Sequence, residues 1–210
     1  MEPEQGVQTA IILAAGKGER FDGVKQLAKI GDEPLLQHVL NSVMKINWRF
    51  KPVLVLGYKA SRVSSSVDTK GLKAVENRYW EKGMSTSLKL GVTEAPEASA
   101  GFIFFLADMP LVNSTIIEKV LEKAAEGASI VAPVFQGERG FPVYLHRKWK
   151  SKLLDDVTGD RGARKIIKQN GQDLTPVPTE DQGVIMDVNE KGDLSRIKSY
   201  LEEEGTEIGV

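Results

Sequence analysis

Residues 13–26, "LAAGKGERFDGVKQ", run from small apolar side chains into a glycine-rich turn that carries three cations, Lys17, Arg20 and Lys25. Backbone N–H groups in such a turn face anions, and the cations neutralise phosphate oxygens. Two common phosphate-binding turns do not fit. The dinucleotide fingerprint needs a third glycine where Phe21 stands, and an acidic residue after the second strand, where Gly57 and Tyr58 stand. The P-loop needs Ser or Thr after its Gly-Lys pair, and here Lys17 is followed by Gly18. What remains is a turn that neutralises a triphosphate by its own cations.

Two further stretches offer oxygen ligands. In "GFIFFLADMPLV", residues 101–112, Asp108 follows an apolar run and sits where a parallel strand ends, which is where ligands bind in open α/β sheets. A lone carboxylate there suits Mg²⁺, which keeps few protein ligands and takes the rest from phosphates and water. In "VIMDVNEKGDL", residues 184–194, Asp187 and Asn189 occupy alternate positions, which on a short strand would point them the same way. The chain has no cysteine and only two histidines, His38 and His146, so thiolate chemistry is excluded and a histidine zinc site is unexpected.

The remaining polar clusters look like ligand contacts. "ENRYWEKGMSTSLKLGV", residues 76–92, sets Gly83 and the hydroxyls of Ser85, Thr86 and Ser87 ahead of a helical pattern, and helix N-termini attract polar and anionic ligand edges. "GERGFPVYL", residues 137–145, and "VTGDRGARKII", residues 157–167, contribute Arg139, Arg161 and Arg164, whose guanidinium forks suit a phosphorylated second substrate. Gly140 and Pro142 would shape a close-approach turn, and Asp160 would cap the helix that carries Ala163 or hold an arginine.

The elements that must position these residues alternate. Apolar runs at residues 9–15, 52–57, 101–108 and 129–134 have strand length and are apolar on both faces, as in a largely parallel sheet. Between them, Leu35, Leu36, Val39, Leu40, Val43 and Met44 follow a helical stripe after Pro34, and Ile116, Ile117, Val120, Leu121 and Ala124 follow another after Asn113 and Ser114. A third helix carries Ala163, Ile166 and Ile167 up to Gly171. A fourth carries Leu194, Ile197, Tyr200 and Leu201 between Asp193 and Gly205. This is an α/β pattern, and residues 136–178 are its least regular part.

Bulk composition narrows the partners. With 28 Lys and Arg against 29 Asp and Glu, the net charge is −1, so no global basic field exists for nucleic acid or an anionic membrane. The opening "MEPEQGVQT" has no cationic or long apolar segment, and no later run approaches a membrane span. A cytoplasmic protein is expected.

Residues 13–25 resemble the signature of nucleotidyltransferases that activate phosphates with NTPs, LAAG-x-G-x-R followed by Lys. The resemblance implies that Leu13, Ala14, Ala15, Gly16 and Gly18 border the nucleotide, where a bulky residue would push it away. It makes Arg20, Lys25 and Asp108 catalytic and brings Gly83 and Ser87 near the base. Residues 187–194 look like the late D-x-D-T-P-E-D-L element with Asn189 at its second acidic position, so Asp108 and Asn189 are the expected Mg²⁺ ligands and Asp187 the reserve.

The segments around Arg139 and Asp160, after "DMP", resemble R-G-H-P-V and G-D-x-G-A-R of the molybdenum cofactor cytidylyltransferase group among MobA-like NTP transferases. The likeness runs over residues 11–194, with Phe141 where His is usual. It implies a Rossmann-like three-layer fold with a mostly parallel central sheet. It also implies one domain over residues 1–210 with an acceptor-binding region around residues 136–178, which includes Arg139, Gly140, Pro142, Asp160, Arg161 and Arg164. The activity implied is transfer of CMP from CTP to the phosphate of molybdopterin with release of pyrophosphate. In this group an LAAG opening goes with CTP, so Ala15 implies CTP. A molybdoenzyme or its chaperone is the partner such a product implies. Two other readings use the same motifs: a cytidylyltransferase for a sugar, polyol or isoprenoid phosphate, and a nucleotide-binding chaperone without chemistry.

Overall fold

Strands that are apolar on both alternating faces need cover on two sides, and the amphipathic segments between them supply it. The computed structural model describes residues 7–203, the Arg161 side chain excepted. Its strands are β1 (Thr9–Ala14), β2 (Lys29–Ile30), β3 (Glu33–Pro34), β4 (Val53–Leu56), β5 (Lys73–Glu76), β6 (Gly101–Leu106), β7 (Ile130–Phe135), β8 (Glu138–Arg139), β9 (Val143–His146) and β10 (Leu174–Pro178). Its helices are α1 (Leu35–Met44), α2 (Ala60–Ser64), α3 (Met84–Glu94), α4 (Ser114–Ala125), α5 (Lys150–Asp155), α6 (Arg164–Gln169) and α7 (Lys191–Glu203).

The main sheet has eight strands in the order β10-β7-β9-β6-β1-β4-β5, with β8 paired to β7. Strands β5, β4, β1 and β6 are parallel, as are β7 and β10. Strand β9 runs antiparallel between β6 and β7. The sheet is thus mostly parallel, Rossmann-like and sandwiched between helices. Along β1, Ala10, Ile12 and Ala14 enter the core formed with α1 and α4, while Ile11 enters the core formed with α3, α5 and α6. This period-two split makes three layers.

The expected helices form where their stripes lie. Asn113 caps α4 by accepting from Ile116 N at 3.0 Å, and Pro34, with φ of −60°, leads into α1. Helix α6 starts one residue after Ala163 and stops before Gly171. Helix α7 starts at Lys191, ahead of Asp193, because the Asp193 carboxylate reaches back to accept from Asn189 N and Glu190 N at 2.7 and 2.9 Å. Gly205, expected at its far end, lies outside the described residues, as do the first six residues of the chain.

Three expectations change. Residues 136–178 are ordered by β8, β9, α5, α6 and β10. Asp187 and Asn189 lie on a segment that belongs to no strand among the described residues; a 3-10 turn, Gln182–Ile185, precedes it. Ser85, Thr86 and Ser87 lie inside the first turn of α3, behind its N-cap Gly83, rather than ahead of the helix.

A third core cluster matters for the site: Phe21, Ile30, Leu35, Leu111, Met186, Val188 and Ile197 pack together. Phe21, where a dinucleotide fold would have glycine, thereby ties the exit of the opening turn to the late segment. Among the described residues, no helix is long and apolar enough to cross a membrane.

Candidate active site

Strands β1 and β6 are parallel neighbours, so their C-terminal ends open on the same edge of the sheet. From β1 emerges the 14–20 turn and from β6 emerges Asp108. Lys25 comes from the short 3-10 turn Lys25–Leu27 and meets Asp108 with Nζ 2.6 Å from Oδ2, their side chains 14% and 22% exposed. Gly18, with φ of +66°, suits the turn, and a Cβ there would lie 3.1 Å from Lys25 Cβ, so the lysine stem runs along the glycine.

The turn is held from behind by groups that the sequence did not single out. Buried Gln26 donates through Nε2 to Ala14 O and Gly16 O at 3.0 and 2.6 Å. Tyr58 N donates to Ala15 O at 2.9 Å, and a Cβ on Gly57 would lie 2.7 Å from Ala15 Cβ. Trp80 stands edge-on to Tyr58, ring centroids 5.4 Å apart, and Lys17 Nζ lies 5.9 Å from the Tyr58 ring centre. Of the three turn cations, Lys17 therefore faces an aromatic ring.

These elements enclose a cavity of about 720 Å³. Leu13, Ala14, Ala15, Gly16, Gly18 and Arg20 line it from the opening turn, joined by Lys25, Gly83, Ser87, Asp108 and Asn189. Every residue expected on the nucleotide and metal side thus borders one space. Trp80 and Gln26 border it as well.

Asn77, absent from the sequence expectations, fixes one wall. It is buried at the end of β5 and donates through Nδ2 to Thr86 Oγ1 and Ser87 Oγ at 2.8 and 2.9 Å, while its Oδ1 accepts from Tyr79 N. Ser87 Oγ is an acceptor in that bond, which leaves its hydroxyl proton for a ligand. A short amide after a strand and before a hydroxyl-rich helix start was the available signal.

The oxygens expected to face a metal are arranged by backbone bonds. Val188 N donates to Asp108 O at 2.8 Å, which holds the late segment against the β6 end. Asn189 donates through Nδ2 to Asp187 Oδ2 at 2.8 Å; Asn189 borders the cavity and Asp187 does not. Asp193 is held below its usual carboxylate range by the N–H groups of Asn189 and Glu190, despite partial desolvation. Among the described residues no three His, Cys, Asp or Glu side chains form a cluster able to hold a metal. A carboxylate plus an amide oxygen is nonetheless a sufficient protein contribution for a hard cation that also takes phosphate oxygens.

A second cavity of about 150 Å³ adjoins the first and shares Leu13, Met84, Leu106 and Asp160 with it. Arg139, Phe141 and Arg164 line it. Arg139 is held below the usual guanidinium range by burial and then by the charge of Arg164. Among the described residues neither arginine pairs with a carboxylate.

Of the other expected acceptor residues, Asp160 borders both cavities and also makes a structural bond. Asp160 accepts from Met84 N through Oδ1 at 3.0 Å, and so caps α3 from outside. Gly83, with φ of +102°, has no room for a side chain: a Cβ would lie 2.7 Å from the Gly159 carbonyl carbon. Gly140 and Pro142 line neither cavity. A Cβ on Gly140 would strike the Val184 carbonyl, and Pro142 is buried after a cis peptide bond. The side chain of Arg161 lies outside the described residues. Neither histidine enters the site: His38 Nε2 lies 3.0 Å from Ile30 O, and His146 Nδ1 accepts from Lys148 N.

Comparison with known proteins agrees with this geometry. The MobA-like NTP transferase domain matches over residues 10–174. The chain is similar to a probable molybdenum cofactor guanylyltransferase of Thermococcus sibiricus, 26% identical over 204 residues that cover 91% of this chain and 98% of that protein. In fold it is similar to Rv0371c of Mycobacterium tuberculosis, solved as a complex with manganese, with a TM-score of 0.79 and 21% identity over 93% of this chain and 99% of that one. It also shares its fold with 4-diphosphocytidyl-2C-methyl-D-erythritol synthase of Anaerococcus prevotii, with a TM-score of 0.71 and 13% identity over 93% of this chain and 97% of that one. The domain match spans well over half of the chain, so this nucleotidyltransferase belongs to the MobA-like NTP transferase domain family.

Proposed function

We propose that the protein transfers CMP from CTP to the phosphate of a molybdopterin-type cofactor, with Mg²⁺ in the larger cavity and the acceptor reaching it from the smaller one. The observation that carries this reading is the junction of the two cavities. One side has a phosphate turn, Lys25 and Asp108; the other has two arginines that pair with no carboxylate among the described residues.

In the reaction an oxygen of the acceptor monophosphate forms a bond to the α-phosphorus as the bond to the departing pyrophosphate breaks. A monoester is already anionic near neutral pH, so no protein nucleophile is needed, and positioning with charge neutralisation supplies the acceleration. Arg20 and Lys25 bind the triphosphate oxygens, and the small Ala14–Gly16 backbone lets base and ribose approach. Gly83 and Ser87 edge the base. Asp108 and Asn189 would hold the metal, which when bound withdraws charge from the phosphates. Arg139 and Arg164 fasten the acceptor's anionic end. Choice of CTP rests on Ala15 and choice of a pterin on the residues around Arg139 and Asp160.

A second acceptor class, a sugar, polyol or isoprenoid phosphate, is favoured by one observation: Phe141 gives the smaller cavity an apolar wall where a hydrogen-bonding imidazole is usual in the pterin-directed group. The test is pyrophosphate release by the purified protein with Mg²⁺ and CTP, GTP, ATP or UTP, with no acceptor, with molybdopterin, or with a sugar, polyol or isoprenoid phosphate. Release that requires both CTP and molybdopterin is the expected result. Release with GTP instead would overturn the base assignment, and release only with other phosphate acceptors would overturn the pterin.

A further inference from the structure

Lys25 and Asp108 each have another partner in the proposed reaction, yet here they hold each other. Asp108 is the carboxylate that would face a divalent cation, and its Oδ2 lies 2.6 Å from the Lys25 ammonium. An N–H donated at that distance occupies one lone pair of Oδ2 and sets a positive charge against the carboxylate, which repels a cation approaching the same group. Both side chains are largely buried, at 14% and 22% exposure, so neither is freely solvated without the other. The lysine stem is confined along Gly18, in which a Cβ would approach Lys25 Cβ, Cδ and Cε at 3.1, 3.4 and 3.5 Å. Its ammonium borders the same cavity as Gly16 and Arg20, where a triphosphate would offer it new oxygens.

We infer that Lys25 is a placeholder cation. In the absence of ligand it neutralises Asp108 and keeps a metal off it; a nucleotide phosphate draws the ammonium away, and Asp108 then receives the metal. Metal and nucleotide therefore enter together, and metal alone binds weakly. This rests on the assignment of Asp108 as a metal ligand made above, and it gives Lys25 a role before chemistry in addition to its role on the phosphates.

The experiment titrates Mn²⁺ alone, by electron paramagnetic resonance of the free ion, into the wild type, Lys25→Met and Lys25→Arg. Thermal unfolding verifies that each variant is folded. Lys25→Met keeps the length of the stem and removes the charge, so it should bind Mn²⁺ at least about tenfold tighter than wild type. Lys25→Arg keeps a cation at the carboxylate and should stay close to wild type, which a general disturbance of packing would not produce. With Mn²⁺ held by CTP itself subtracted through a protein-free control, saturating CTP should tighten Mn²⁺ binding in the wild type and add little in Lys25→Met. Lys25→Met that binds Mn²⁺ no tighter than wild type, including no binding by either, overturns the placeholder role. A gain in Lys25→Met that survives Asp108→Asn in the same chain instead overturns Asp108 as the metal ligand. The metal-only titrations contain neither nucleotide nor acceptor and read no turnover, so failure of the CTP or pterin assignment leaves them unaffected.

Discussion

Asn189 gives its side-chain N–H to Asp187 Oδ2, so its own Oδ1 takes no part in that bond. With Nδ2 engaged, the amide orients its Oδ1 away from Asp187, and Asn189 borders the larger cavity whereas Asp187 does not. On the proposed reading Asn189 faces the metal and Asp187 supports it. Asn189→Ala should lower kcat/KM by roughly a hundredfold, with most of the loss recovered at high metal concentration, while Asp187→Asn should lose about tenfold or less. Steady-state kinetics across a metal titration decides this; equal losses for the two would reverse the assignment.

Asp108 should dominate every other single carboxylate. Asp108→Ala is expected to reduce turnover by roughly a thousandfold with the fold retained. Substitution of His38 or His146 by Gln should leave kcat within about twofold, since neither ring borders the cavity. Pyrophosphate release beside a thermal melt measures both.

Arg139 and Arg164 predict a split between the two substrates. Arg139→Met or Arg164→Met should raise the acceptor KM by about tenfold or more and leave the CTP Kd unchanged, because both side chains line only the smaller cavity. A parallel rise in CTP Kd would mean that the two cavities bind one ligand.

Asp193 makes the site sensitive to acid. Its folded-state value is depressed below 3.8, first by the Asn189 N–H and then by the Glu190 N–H. A depressed carboxylate contributes stability that is present in full above the unfolded value and is lost as pH falls through the folded value. Asp193→Ala should therefore be less stable than wild type by a constant margin at about pH 5 to 7, and the margin should shrink below about pH 4. Urea unfolding over that range gives the answer.

How far the sequence reaches is clearest at particular residues. Asp108 could be found because an apolar run that ends in a carboxylate is local, and the α1 and α4 stripes are local in the same way. Strand β9 was not found, because its antiparallel place between β6 and β7 depends on partners distant in sequence. Gln26 and Asn77 carry no periodic signal: one acts on carbonyls twelve and ten residues back, the other on hydroxyls nine and ten residues ahead. The 186–189 segment misled for a different reason. Alternate polar and apolar residues read as a strand, yet this segment joins no sheet among the described residues, and the Val188 bond to Asp108 O holds it instead.

Phe21 bears on the thermodynamics of ligand capture. The turn is fastened at its entrance by Gln26 and at its exit by Phe21, 8% exposed among Ile30, Leu35 and Val188. A free glycine-rich loop would lose backbone entropy on closing around phosphates, on the order of 1–2 kcal/mol per residue ordered. Here most of that ordering is completed when the chain folds, drawn from the burial of an aromatic ring rather than from the ligand's own binding energy. Phe21→Gly would restore the glycine of a dinucleotide turn and return that entropy to the loop, weakening affinity without removing a single phosphate contact.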